Sequence, residues 1–316
     1  MQGITTIFKK ELSDHFSSYR FLILFALIAM VSLITAYMVN LHISKDLEGV
    51  AKPEYVFLML FTSSGIQFSL VQFVAFFGPL IGLMLGFDTI NRERNEGTLS
   101  KLLSQPIYRD SVVNGKFLAG VTVITIMMVS IVLVITGLGL IMVGVVPGFG
   151  ELWRIIIYLV LSIIYISFWL GVAILFSILF RSVATSALAA LAIWIFFSFF
   201  LSLGANAVAS TVTSDESDPG YMARRVKIER AISLASPLEL YTDATATIMD
   251  PMRRTSRAFI QIGFKEKLSM SRFSGPLPLS QSFLVVLPYI ITLVAITVLC
   301  FAISYTVFMR QEIRSI

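Results

Sequence analysis

Long apolar runs alternate with short charged stretches along the chain. Six of these runs reach the roughly 20 residues that a bilayer-crossing helix needs: 21–41, 66–87, 117–146, 153–180, 184–205 and 282–309. The third and fourth are long enough to require tilt or a break, and Gly137, Gly139 and Gly144 mark where the third could loosen. No ten-residue strand-period alternation recurs, which excludes an outer-membrane barrel. The pattern predicts an all-α polytopic membrane protein with six transmembrane helices.

The polar stretches carry their own periodicities. Over residues 1–20, Ile4, Ile7, Phe8, Leu12, Phe16 and Tyr19 recur at three-to-four spacing, with Lys9, Lys10, Ser13, Asp14 and Ser17 on the other side. This predicts an amphipathic helix in the headgroup region that feeds the first span. The first apolar run is too long for a signal h-region and no small-x-small site ends it, so it reads as a retained span. Residues 42–65 form a short external connection, and residues 88–116 a cytoplasmic loop between spans two and three. Arg181 and its neighbours make a tight hairpin of spans four and five. Residues 205–281 have helical composition broken at Pro219-Gly220, Ser236-Pro237 and Pro251, and read as an external helical domain between spans five and six. Residues 21–204 thus hold spans one to five, 282–309 the sixth, and 310–316 a cytoplasmic tail.

Composition agrees with solvation by lipid. Hydrophobic residues make up 57 % of the 316 and charged residues 14 %, against about 45–50 % and 25 % in soluble domains; mean hydropathy is +0.86. The net charge of +5 matters through its distribution. With the N-terminus inside, the inner segments hold eleven Lys and Arg and the short outer ones three, Lys45, Lys52 and Arg154. The positive-inside rule then places both termini of a multi-pass membrane protein in the cytoplasm. The basic balance reflects topology and implies no nucleic-acid partner.

Candidate chemistry is sparse. No ionisable side chain falls in the middle third of any span, which argues against proton or cation pathways. His15 and His42 are on opposite sides, and a single cysteine, Cys300, excludes multi-cysteine metal sites. No catalytic residue, metal site or cofactor site is legible, and the chain reads as no enzyme. The second span does carry Gly78, Gly82 and Gly86 on one face with Pro79 among them, a pattern for close helix packing or a moving seam.

The informative segment is the 88–116 loop. The second span runs out into Asp88, Arg92, Glu93, Arg94 and Glu96; Gly97 breaks the helix; Thr98, Leu99, Leu102 and Leu103 begin a short amphipathic helix; and Pro106 stops it. Such a loop offers a rigid charged and apolar knob to a soluble partner.

On these residues the sequence resembles the permease subunits of type-2 (ABC-2) ATP-binding-cassette exporters. The likeness rests on Lys10-Glu11-Leu12 in the first helix, Glu96-Gly97-Thr98-Leu99, Leu102-Leu103, Pro106 and Arg109 in the loop, and Gly115-Lys116-Phe117 opening the third span. Pro237-Leu238-Glu239-Leu240-Tyr241 is similar to a stretch in the membrane subunit of the nitrous-oxide-reductase maturation exporter.

The resemblance implies a dimer of permease copies, homo- or heteromeric, with two ABC ATPase subunits beneath it. The 88–109 stretch would be a coupling loop docked on the ATPase, and Lys10 and Glu11 a second contact. The chain has no Walker A sequence, so ATP and Mg would be bound by the partner ATPase. The uncharged interior favours export of an apolar or amphiphilic cargo. The alternative is a mechanotransmission subunit whose 205–281 segment passes ATPase-driven motion to an extracytoplasmic protein.

Overall fold

The computed structural model describes residues 2–46, 55–62, 69–105, 107–144, 146–212, 225, 228–229, 231–251 and 278–311. Every regular element among them is helical. In chain order they are α1 (Gln2–Phe16), α2 (Tyr19–Asp46), α3 (Val56–Thr62), α4 (Leu70–Gly86), α5 (Asn91–Asn95), α6 (Thr98–Leu103), α7 (Arg109–Val143), α8 (Phe149–Leu179) and α9 (Val183–Ile195). A π-helical turn (Phe196–Phe200) joins α9 to α10 (Leu201–Val212); α11 (Pro237–Met249) and α12 (Leu279–Arg310) follow. Five helices are long and apolar enough to cross a membrane. A sixth span is counted if α1 and α2, bent by 61° at their junction, are taken together. The chain is therefore a polytopic helical membrane protein.

α4 and α8 form the centre. They run parallel, and Gly78, Gly82 and Gly86 of α4 face Ile166, Leu170 and Ala173 of α8 in register. A Cβ at Gly82 would stand 2.6 Å from the Ile166 carbonyl oxygen and 2.8 Å from the Leu170 nitrogen. Glycine here lets two backbones touch, which in lipid supplies much of the association free energy. Tyr165 of α8 donates to the Ala75 carbonyl of α4 at 2.9 Å. α4 is entered through a capping box, in which Gln72 N donates to Ser69 Oγ while Ser69 N donates to Gln72 Oε1; Gln72 thus serves the helix terminus.

Three elements differ from the reading of the pattern. α7 begins at Arg109, so residues 109–116 belong to a helix of 35 residues. At 1.5 Å per residue it is about 52 Å long, well beyond a hydrocarbon core of roughly 30 Å. It stays unbroken past Gly137 and Gly139, and Gly139 serves instead as the seat of Leu60 and Phe57.

The connection after α2 also contains the short helix α3, whose Phe57, Leu58, Leu60 and Phe61 are all buried. Within 205–281, residues to Val212 prolong the fifth span, and α11 packs into the bundle rather than standing apart from it. Leu240, Tyr241, Ala244, Thr245, Ile248 and Met249 of α11 are buried, and Tyr241 stacks on Tyr165 at 4.3 Å. The rest of that segment lies outside the described residues, apart from a few flanking positions. Periodicity could not place α11, because its buried positions include Thr242, Asp243 and Thr245, which read as polar. Together with Glu151 and Arg154 of α8, Asp243 puts buried charged residues into an interior that the spans alone suggested was uncharged.

Candidate coupling platform

The end of the bundle where α4 and α8 finish is covered by α1, α5, α6 and the protruding first turns of α7. α1 runs alongside α7. A Cβ at Gly115 would stand 2.8 Å from Ile7 Cγ2, and one at Gly3 would stand 3.2 Å from Ile107 Cγ2. The apolar stripe of α1 is thus spent on α7 where it bears Ile7, with Leu12 packed at the edge of the core.

Four charges join these elements into one ring. Lys116 of α7 places its Nζ 2.8 Å from Glu11 Oε1 of α1 and 3.0 Å from Glu93 Oε1 of α5. Lys10 Nζ is 3.1 Å from the same two oxygens and 3.7 Å from Asp14. The Lys116 side chain is only 3 % exposed, whereas that of Lys10 is 49 % exposed. Charge balances within the ring, which is what makes burying it tolerable. Glu93 Oε2 is buried with no hydrogen-bond partner.

Burial alone would raise the Glu11 carboxyl; Lys116 and then Lys10 outweigh it and hold the group below its ordinary 4.5. Burial alone would likewise lower the Lys10 ammonium, yet Glu11 and Glu93 raise it. His15 is pushed below its ordinary 6.5, first by burial, with Lys116 adding to the effect and Glu11, Asp88 and Asp14 opposing it.

A second set of bonds pins the loop to the other side of the bundle. Ser177 Oγ accepts from the Ile90 and Asn91 amides at 2.8 and 3.1 Å. Ser186 donates to the Phe87 carbonyl at 2.8 Å, and Asn95 to the Arg181 carbonyl at 3.2 Å. Arg94 donates to Gln311 Oε1 at 2.6 Å, while Gln311 donates to the Ile178 carbonyl at 3.0 Å. The loop is therefore tied to α1 and α7 on one flank, and to the α8–α9 hairpin and the end of α12 on the other.

The residues singled out in the sequence divide by this geometry. Lys10, Glu11 and Glu93 meet in the ring. Arg94 is turned toward Gln311, Asp88 is half-buried, and Leu99 is only 1 % exposed, its side chain spent inside the chain. Leu102 is half-buried against the core. Arg92 and Glu96 are exposed and pair with each other at 2.9 Å. Gly97 adopts φ 70, the left-handed region that favours glycine, and turns α5 into α6. Thr98 is exposed and donates to the Glu93 carbonyl at 3.2 Å. Pro106 lies outside the described residues.

The free face of the platform thus consists of Arg92, Glu96, Gly97, Thr98, Lys101, Ser104 and Gln105. Charge patterning alone did not single out Lys116, Ser177 or Gln311. Lys116 stood out only as part of Gly115-Lys116-Phe117 in the family likeness and as a lone cation at the mouth of an apolar run, and neither signal named its partners.

A sequence model of the family described as ABC-2 family transporter protein matches residues 5–313, nearly the whole chain. No curated protein matches it.

Proposed function

The chain belongs to the ABC-2 family of transporter proteins, and from that membership we propose that it is the permease subunit of an ABC exporter, driven through the platform by a separate ATPase. The observation that carries this reading is the rigid hub formed by α5 and α6. It presents an exposed polar face while its buried side is tied to helices on both flanks of the bundle. A push on that face reaches α7 through the Glu93–Lys116 pair and reaches α8, α9 and α12 through Ser177, Asn95 and Gln311. Glu93 and Arg94 act in those bonds, rather than in affinity for the partner, and Leu99 acts by packing inside the chain. Thr98, Lys101, Arg92 and Glu96 set the docking register.

In this reading the platform faces the cytoplasm, as the Lys and Arg distribution indicates. Two permease copies stand on two ATPase copies, which bind the ATP and Mg. Spans without charge in their middle thirds favour an apolar or amphiphilic cargo. The likeness of Pro237–Tyr241 to the nitrous-oxide-reductase maturation exporter names no cargo, since Pro237 and Tyr241 are accounted for by burial in the bundle. Mechanotransmission to an extracytoplasmic protein is the less favoured reading: among the described residues of 205–281, α11 packs inside the bundle and offers no projecting face.

The test is purification in mild detergent from native membranes. The wild-type chain should retain an ABC ATPase. A Lys101→Glu/Gln105→Trp variant, altered only at exposed positions, should fold alike and retain at least tenfold less. Full retention by the variant would reject the docking face, and absence of any ATPase from the wild type would reject the exporter.

A further inference from the structure

On the α1 flank of the platform each lysine meets a carboxylate. On the opposite flank, cations gather without one. Arg94 of α5, Arg109 at the start of α7, Arg181 between α8 and α9, and Arg310 at the end of α12 converge on Gln311. Gln311 Oε1 accepts from Arg94 Nη2 at 2.6 Å, and its main-chain oxygen accepts from Arg109 Nη1 at 3.4 Å. Its Nε2 donates to the Ile178 carbonyl, in the last turn of α8, at 3.0 Å. Arg310 is its neighbour in the chain. Arg181 lies close enough to Arg94 for the two cations to repel, and its carbonyl accepts from Asn95, the residue after Arg94, at 3.2 Å.

The residue that organises these guanidiniums is a neutral amide, which orients Arg94 and leaves its charge uncompensated. Among the described residues, none of the four arginines forms an ion pair. The nearby acids are engaged elsewhere. Glu96 pairs with Arg92, Glu93 with the two lysines, and Asp110 turns back to the Ser111 amide at 2.8 Å. Like charges gathered without an acid repel one another, and an anion from outside the chain relieves that repulsion.

Position selects the anion. α8 ends at Leu179 and α12 at Arg310, so the cluster stands at the rim where apolar spans give way to headgroups. Arg109, Arg181 and Arg310 are exposed and Arg94 is half-buried. Tyr108, 81 % exposed beside Arg109, is the kind of amphipathic ring enriched at that level. On α12, Leu299, Ile303, Thr306 and Arg310 are all exposed and fall on one face at three-to-four spacing, so an apolar track leads along the span to the cation. Phosphate oxygens match the planar guanidinium fork, and basic pockets between span ends take anionic headgroups. An acidic protein surface would supply the charge but no acyl chain to follow the track.

We propose that Arg94, Arg109, Arg181 and Arg310 form a site for the headgroup phosphate of an anionic phospholipid, whose acyl chain lies along Leu299 and Ile303 of α12. The bound headgroup ties α5 and the start of α7 to the α8–α9 hairpin and the end of α12, as the lysine ring ties α5 to α1 and α7. The site needs no ATPase and stands independently of the exporter reading.

The experiment counts phospholipids retained by the full chain in neutral detergent, by native mass spectrometry, with phosphatidylglycerol and phosphatidylcholine supplied together. The wild type should retain phosphatidylglycerol in preference by about tenfold or more. Arg181→Gln/Arg310→Gln, altered at two exposed side chains, should fold alike and lose most of that preference. Arg181→Lys/Arg310→Lys should recover part of it, since charge returns without the fork. Lys9→Gln/Lys101→Gln removes the same charge from other exposed positions of the platform and should keep the preference.

Equal loss in the two Gln pairs would reduce the effect to general attraction and overturn the site. Glycerol phosphate that displaced phosphatidylglycerol at equal concentration would assign a soluble anion and overturn the lipid. An Arg181→Gln/Arg310→Gln chain that kept its lipid preference but no longer retained an ATPase would give the cluster to a protein partner and overturn the proposal. Lipid preference lost with ATPase retention intact supports it.

Discussion

Replacing Lys116 by Met removes the innermost cation of the platform ring while keeping the length and much of the volume of the side chain. At 2.8 and 3.0 Å from Glu11 and Glu93, and with an effective dielectric of about 20, each pair attracts by about 5–6 kcal/mol before desolvation is counted. Desolvating a 3 % exposed ammonium takes back several kcal/mol, and the neighbouring Lys10 repels it. Breaking a buried pair by removing one partner costs about 3–5 kcal/mol. Lys10 still compensates both carboxylates from the surface, so the lower end, about 3 kcal/mol, is expected.

The loss is local, since neither α4 nor α8 depends on the ring. Hydrogen exchange in nanodiscs should show the amides of α1 and α5 opening about 100-fold faster, with α8 unchanged. Lys10→Met, at a side chain 49 % exposed, should cost no more than about 1 kcal/mol. A Glu93→Gln/Lys116→Met double variant should lose less than the sum of its parts, because each change relieves the charge left bare by the other. If Lys116→Met and Lys10→Met opened α1 equally, or if the double variant were strictly additive, the ring would not be what joins α1 to the loop.

Acid should loosen the same joint. Glu11 is held below 4.5 in the folded chain, so its contribution is complete above that value and is lost as pH falls through the lower folded one. His15, held below 6.5, acts in the same direction: its burial as the neutral form is free of penalty above 6.5 and grows costly below it. Lys10, raised in the folded state, loses its contribution only far into alkali. Exchange protection of α1 should therefore be flat above neutrality and fall in acid, and His15→Gln should remove the earlier part of the fall; a loss of protection between neutral and mildly alkaline pH would contradict the assignment.

Glycine positions on α4 should rank by what they touch. Gly82→Ala meets backbone at 2.6 Å, whereas Gly78→Ala meets only the movable Ile166 Cγ1 at 3.0 Å. Gly82→Ala should lower detergent-phase thermal stability by several degrees more, and the reverse order would refute parallel backbone contact with α8.

The platform was legible because its two halves carry opposite local signals. A heptad-like stripe in 1–20 and a charged break at Gly97 both stand out against apolar neighbours. What could not be read was which way each charge points. Arg92 and Glu93 are adjacent and equally polar, yet one is exposed and the other closes a ring with a lysine 23 residues away. Leu99 reads as the apolar face of a docking helix and is instead consumed inside the chain.

The far end was the least legible part. There α11 mixes Leu240, Ala244, Ile248 and Met249 with Thr242, Asp243 and Thr245, a composition that reads as an external segment until partners on other helices bury both kinds of residue. By itself the sequence determined the lipid-solvated helices, their number to within the bent first pair, and the place of the charged loop broken at Gly97, because apolar length and local charge are summed along the chain. Only the tertiary structure decided that Lys116 joins α1 to the loop and that Arg154 donates to the Ile248 carbonyl of α11. A buried charge is defined by its partners, and here those partners come from distant parts of the chain.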